Sequence, residues 1–251
     1  MPDLARSILG DGPPFVWAHG LTSSRANEAS GGLFDWTPVV DGGHRVIRYD
    51  ARGHGESGGP VDPEAYRWPQ LAADLLALLD ELEVEHTSAG GASMGCATLL
   101  HAAVRAPERF ERLVLVIPPT AWATRADQAE QYEGSARYVE AKGKAAWMEV
   151  ASEAPRAAIF ADLPAFPFTA DIPEDLLPSV LRGAAASDLP DPDAVAGLTQ
   201  PVLVLAWAGD PGHPVSTAER LVALLPDAEL QVATHVRDVL GWPRQVASFL
   251  A

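Results

Sequence analysis

The chain has one cysteine, Cys96, in 251 residues. A single thiol forms no intramolecular disulfide and no cysteine-based metal site, so no oxidising compartment is needed. Lysine is almost absent: Lys142 and Lys144 stand against sixteen arginines, a bias typical of GC-rich bacterial coding. Thirty-four acidic residues leave a formal net charge of -16. Such a surface has no basic face to displace counterions, so neither nucleic acid nor a membrane is expected as a partner. No apolar run approaches the roughly 18 residues a bilayer-spanning helix requires. The opening MPDLARSILGDGPP lacks the apolar centre of a signal peptide, and a cytoplasmic location is expected. The oligomeric state is left open.

What the chain does have is an ordinary globular balance, 47% hydrophobic and 21% charged residues, enough for a sizeable core. Short apolar runs alternate with amphipathic segments. Phe15–Ala18, Arg45–Tyr49, Thr87–Ala92, Leu113–Ile117, Pro201–Ala206 and Glu229–Val232 read as strands. LVLVI at Leu113–Ile117 is apolar throughout, as a strand covered on both faces should be. Leu71, Leu75, Leu78, Leu79 and Leu82 recur at helical spacing, and further helices are expected over Cys96–Ala106, Ala218–Leu225 and Gln245–Leu250. The N-terminus leaves room for one strand before Phe15. Alternation of this kind predicts an α/β fold with a mostly parallel, doubly wound sheet. The rhythm breaks between about Trp122 and Asp193, where Pro155, Pro164, Pro167, Pro173, Pro178, Pro190 and Pro192 fall and no apolar strand is evident. We read a core of 1–119 and 196–251 and a helical cap insertion over 120–195.

The strongest local signal is Gly91-Ala92-Ser93-Met94-Gly95, a G-x-S-x-G between a strand and a helix. A tight strand-to-helix turn needs small residues on either side and pushes the serine hydroxyl outward. Ser93 is therefore the candidate nucleophile, and the Met94 amide, at a helix N-terminus, a candidate oxyanion donor. His19-Gly20-Leu21 follows the first long strand, and its loop can bring the Leu21 amide over the serine, with His19 orienting the loop. The run Asp50-Ala51-Arg52-Gly53-His54-Gly55-Glu56-Ser57 reads as a hydrogen-bonded scaffold turn.

Taken together, HG, then D-x-R-G-H-G-x-S, then G-x-S-x-G before a helix resemble the α/β-hydrolase fold family, in its subgroup of capped esterases, lactonases and non-metal haloperoxidases. The resemblance covers most of the chain and is weakest across 120–195. It implies an acid after the Pro201–Ala206 strand, and Asp210, four residues before Pro214, fits. It also implies a base histidine after the last strand. His235 lies there, though in Ala233-Thr234-His235-Val236 and without the usual preceding glycine. His213, three residues after Asp210, is the rival; in the family a histidine there often serves structure. His44, His86 and His101 read as structural or surface residues.

With Ser93, Asp210 and His235 as triad, the expected activity is acyl-enzyme hydrolysis of a small-molecule carboxylic ester or lactone, with no cofactor and no metal. Trp122, Trp147 and Phe160, with Phe166 and Phe168, are candidate linings of an apolar substrate pocket in the cap. Perhydrolase or haloperoxidase-like chemistry and carbon–carbon hydrolysis share the triad, and the poor context of His235 leaves a catalytically weak binding protein open.

Overall fold

A computed structural model describes residues 3–32, 34–154, 157–161 and 168–251. Pro155, Pro164, Phe166 and Pro167 lie outside the described residues. The strands are β1 (Arg6–Leu9), β2 (Pro14–Ala18), β3 (Arg45–Tyr49), β4 (Thr87–Ala92), β5 (Phe110–Val116), β6 (Val202–Trp207) and β7 (Ala228–Ala233). The helices are α1 (Arg25–Gly31), α2 (Thr37–Asp41), α3 (Trp68–Glu81), α4 (Met94–Arg105), α5 (Arg125–Lys142), α6 (Lys144–Ser152), α7 (Leu177–Ala185), α8 (Pro192–Ala196), α9 (Val215–Leu224) and α10 (Val236–Leu250).

The strands form one seven-stranded sheet in the order β1-β3-β2-β4-β5-β6-β7. Only β1 runs antiparallel; it pairs with β3. Every other pairing is parallel. The central strands are buried on both faces, and their side chains divide by the two-residue period of a strand. Leu113 and Leu115 join the cluster beneath α3, α4 and α9, with Leu75, Leu79, Leu99, Val204 and Leu221. Val114 and Val116 join the opposite cluster, with Phe15, Trp36, Leu203, Trp242 and Val246.

Strand order reverses at β2. The chain leaves β2 toward β3, then returns to place β4 on the other side. In an open parallel sheet that reversal opens a crevice at the carboxyl ends of the strands, the favoured place for a ligand site. Register brings those ends level: Ala18 pairs with Gly91, Ala92 with Val116, and Val116 with Leu205. Between β5 and β6 the chain builds α5, α6, α7 and α8. There Ala136, Val139, Ile172, Leu176, Leu177 and Leu181 enclose Tyr66 in a third apolar cluster. Leu21 packs against both this cluster and the one beneath α3 and α4.

Candidate active site

The turn from β4 into α4 sets Ser93. Its backbone adopts φ 53 and ψ -111, a left-handed value that a non-glycine residue holds only when its surroundings enforce it. The flanking glycines show why. A Cβ on Gly91 would strike the Gly95 carbonyl, and one on Gly95 would strike the Ala18 carbonyl of β2. The Ser93 amide donates to Val116 O at 3.0 Å. The hydroxyl projects into the β2/β4 crevice, where Gly20 adjoins it: a Cβ there would sit 3.6 Å from Ser93 Cβ.

The hydroxyl meets His213. Ser93 Oγ lies 2.8 Å from His213 Nε2, and His213 Nδ1 lies 2.9 Å from Asp210 Oδ2. A carboxylate only accepts, so the imidazole proton is on Nδ1, and Nε2 is left to accept from the serine. Asp210 is itself locked. The Trp207 indole N–H donates to Oδ2 at 2.9 Å, and the Gly212 amide to Oδ1 at 2.9 Å. Burial alone would raise this carboxyl, but the bonds from His213, Trp207 and Gly212 outweigh it and hold it at about 2, ionised throughout the neutral range.

His235 is not brought to Ser93, which corrects the expectation from sequence. It caps the N-terminus of α10, its side chain is 63% exposed, and its Nδ1 lies 3.0 Å from Thr234 Oγ1. The reason is length. Only Thr234 and His235 separate β7 from α10, so no loop exists to carry a side chain back over the sheet edge. The β6–α9 connection runs from Ala208 to Pro214, with Gly209 at φ 81 to bend it. It is long enough to present acid and base together.

The amides of Leu21 and Met94 donate to no other described residue. His19 fixes the loop that carries Leu21. Its Nε2 accepts from the Ala51 amide at 2.9 Å, so its Nδ1–H donates to Gly20 O at 2.8 Å; burial pushes its pKa down. Asp50 holds the neighbouring turn, accepting from the Arg25 amide at 2.8 Å and from the Glu56 amide at 3.1 Å.

The three aromatics expected to line a pocket separate. Phe160 stands edge-on to Trp207 at 4.9 Å, and Trp207 stands edge-on to His213 at 6.4 Å, so Phe160 is one ring removed from the imidazole. Trp147 packs edge-on to Phe168 at 5.3 Å and lies partly buried against the third cluster. Trp122 is a strut: its indole donates to Pro190 O at 3.0 Å, and its amide is held by Asp188. Sequence reasoning missed Trp207. Its place at the carboxyl end of β6, three residues before Asp210, was the available signal.

Among the described residues no cluster of His, Cys, Asp and Glu could hold a metal ion, and no helix is long and apolar enough to cross a membrane. The family profile described as alpha/beta hydrolase fold matches residues 13–239. A 3-oxoadipate enol-lactonase from Acinetobacter baylyi is 31% identical over 206 residues, covering 77% of this chain and 73% of that protein. Among solved structures, a hydrolase from Pseudomonas aeruginosa superposes with a TM-score of 0.82 at 25% identity, covering 100% of this chain and 95% of that one. The enol-lactonase from Burkholderia xenovorans LB400 superposes at 0.79 with 24% identity, covering 99% and 96%.

Proposed function

The chain belongs to the α/β-hydrolase family, and from that premise we propose that it hydrolyses a carboxylic ester or lactone through an acyl-enzyme on Ser93, with His213 as base and Asp210 as acid. One observation carries the reading: the unbroken hydrogen-bonded line from Ser93 Oγ through His213 to Asp210.

In this mechanism Ser93 Oγ attacks the carbonyl carbon while its proton passes to His213 Nε2. The carbonyl oxygen takes up the displaced pair as an oxyanion facing the Leu21 and Met94 amides. The intermediate collapses, the C–O bond to the leaving alcohol breaks, and His213 returns the proton to that oxygen. Water deprotonated by His213 then repeats the sequence on the acyl carbon and frees Ser93. Asp210 stays ionised and holds the imidazolium. Each oxyanion donor is worth about 3 kcal/mol in the transition state. No cofactor takes part.

We further propose 120–195 as the cap over 1–119 and 196–251, with Phe160 contributing an apolar wall near His213. An enol-lactone is the first substrate to try, because the Acinetobacter relative is an enol-lactonase. The hydrogen bond from Ser93 to His213 favours catalysis over a pocket that only binds.

Turnover of p-nitrophenyl acetate and an enol-lactone by wild type, Ser93→Ala, His213→Ala and His235→Ala tests the reading. Ser93→Ala and His213→Ala should each lose about three orders of magnitude or more in kcat, and His235→Ala should stay within about twofold of wild type. A silent wild type, or a loss with His235→Ala instead of His213→Ala, would overturn it.

A further inference from the structure

Asp171 lies in the proposed cap, ahead of α7, yet its polar groups are spent on the core. Its amide donates to Thr22 O at 2.8 Å, and its carbonyl accepts from the Gly55 amide at 2.7 Å. Its carboxylate Oδ2 accepts from Ser24 Oγ at 2.6 Å. Ser24 is fully buried, and the same Oγ accepts from the Asn27 amide at 3.1 Å to cap α1.

These contacts converge on the loop that carries the Leu21 amide. The loop is anchored upstream by His19 on Ala51 and downstream by the Arg25 amide on Asp50. Between those anchors Thr22 takes φ 66, a left-handed conformation that a β-branched residue avoids unless its neighbours hold it there. The Ser23 amide closes the turn by donating to Gly20 O at 3.1 Å, but the Thr22 carbonyl and the Ser24 hydroxyl on either side of it are both held by Asp171. Leu21 itself packs against the apolar cluster of the cap.

We propose that Asp171 is a positioning residue that sets the Leu21 amide toward the oxyanion, so that seating the cap and completing the oxyanion hole are a single event. This rests on the hydrolase reading above. An anchor that only held the cap down would affect substrate capture or stability. A positioning residue affects the step in which negative charge develops on oxygen.

The test compares wild type, Asp171→Ala, Asp171→Asn, Ser24→Ala and Ser93→Ala. Its readouts are kcat and KM on p-nitrophenyl acetate, the rate of Ser93 phosphonylation by a p-nitrophenyl methylphosphonate ester, and melting temperature. In phosphonylation the Ser93 Oγ–P bond forms, p-nitrophenolate leaves with the bonding pair, the proton goes to His213, and the P–O oxygen occupies the oxyanion position. Asp171→Ala should lower kcat and the phosphonylation rate together by about tenfold, with KM changed less than about threefold. Asp171→Asn, which keeps an acceptor for Ser24 Oγ, should recover most of the loss. If Asp171→Ala does not fold, Ser24→Ala decides: a matching fall in kcat supports the proposal, and an unchanged kcat overturns it. The proposal alone falls if Ser93→Ala is inactive while the Asp171 variants keep wild-type kcat, or if only KM rises. Wild-type turnover by Ser93→Ala would overturn the hydrolase reading and this inference with it.

Discussion

Glu28 carries a carboxyl into the interior beside β2 and β3. The Trp17 indole donates to both of its oxygens, at 2.9 and 3.0 Å, and Arg48 lies 3.3 Å away. Burial dominates these partners and pushes the group up to about 7. A carboxyl raised on folding binds its proton more tightly in the native state, so stability falls as pH rises from its ordinary value of 4.5 through about 7. The shift is worth on the order of 3 kcal/mol. Across pH 5 to 8 the melting temperature of wild type should therefore drop by several degrees relative to Glu28→Gln; parallel curves would show that Glu28 is not the titrating group. At this scale the sequence is readable where local geometry dictates residue type. The turn around Ser93 needs its glycines, and Asp210 sits in turn chemistry before a proline. The base is not readable that way. His213 and His235 are both histidines after strands, and only the lengths of the two connections separate them. Asp171 and Trp207 act through contacts that no local pattern encodes.

Connections between elements decide where the chemistry sits. The β6–α9 loop presents Asp210 and His213, while the β7–α10 turn is too short to present anything to Ser93. Two glycines inserted between Thr234 and His235 should leave p-nitrophenyl acetate turnover within about twofold of wild type. The same insertion between Asp210 and Pro211 should cost about three orders of magnitude, with circular dichroism checking that both variants fold. Equal losses would put the base back on the β7–α10 turn. The central strands are legible because burial on both faces demands unbroken apolar runs. Three other features are not. The edge strand β1 is only half covered, with Ile8 at 44% and Leu9 at 48% exposure, so its pattern is weak. Helix α1 buries no apolar residue, only the Glu28 carboxyl, and leaves no apolar period to read. Helix α10 continues through Pro243, although a proline usually marks a helix start or break. That is why the sequence places the start of this helix at Gln245 and the structure places it at Val236. The cost is offset by packing: Val239, Trp242, Pro243 and Val246 are all buried.

Over the whole molecule, alternation of strands and helices is enough to predict the doubly wound sheet, and the break in that rhythm marks where α5 to α8 intervene. The lone thiol stays out of the chemistry. Cys96 Sγ lies 2.9 Å from Gly91 O and 3.1 Å from Val116 O, and burial raises its pKa, so thiolate reactivity is suppressed. Asp210 and His213, the proposed acid and base, share the β6–α9 loop. Every proposed reacting group, from Leu21 to His213, precedes α9, and the final helix contributes packing alone, through Val239, Trp242, Val246 and Leu250 against the sheet. The protein can therefore be divided at the β7–α10 turn into a piece that holds all the chemistry and a short piece that holds none. Residues 1–234 alone should be inactive for want of a closed core. Adding a peptide of residues 235–251 should restore turnover in proportion to the fraction captured, saturating as a simple binding curve. The hydrolysis rate would then serve as a gauge of the association of two inert fragments.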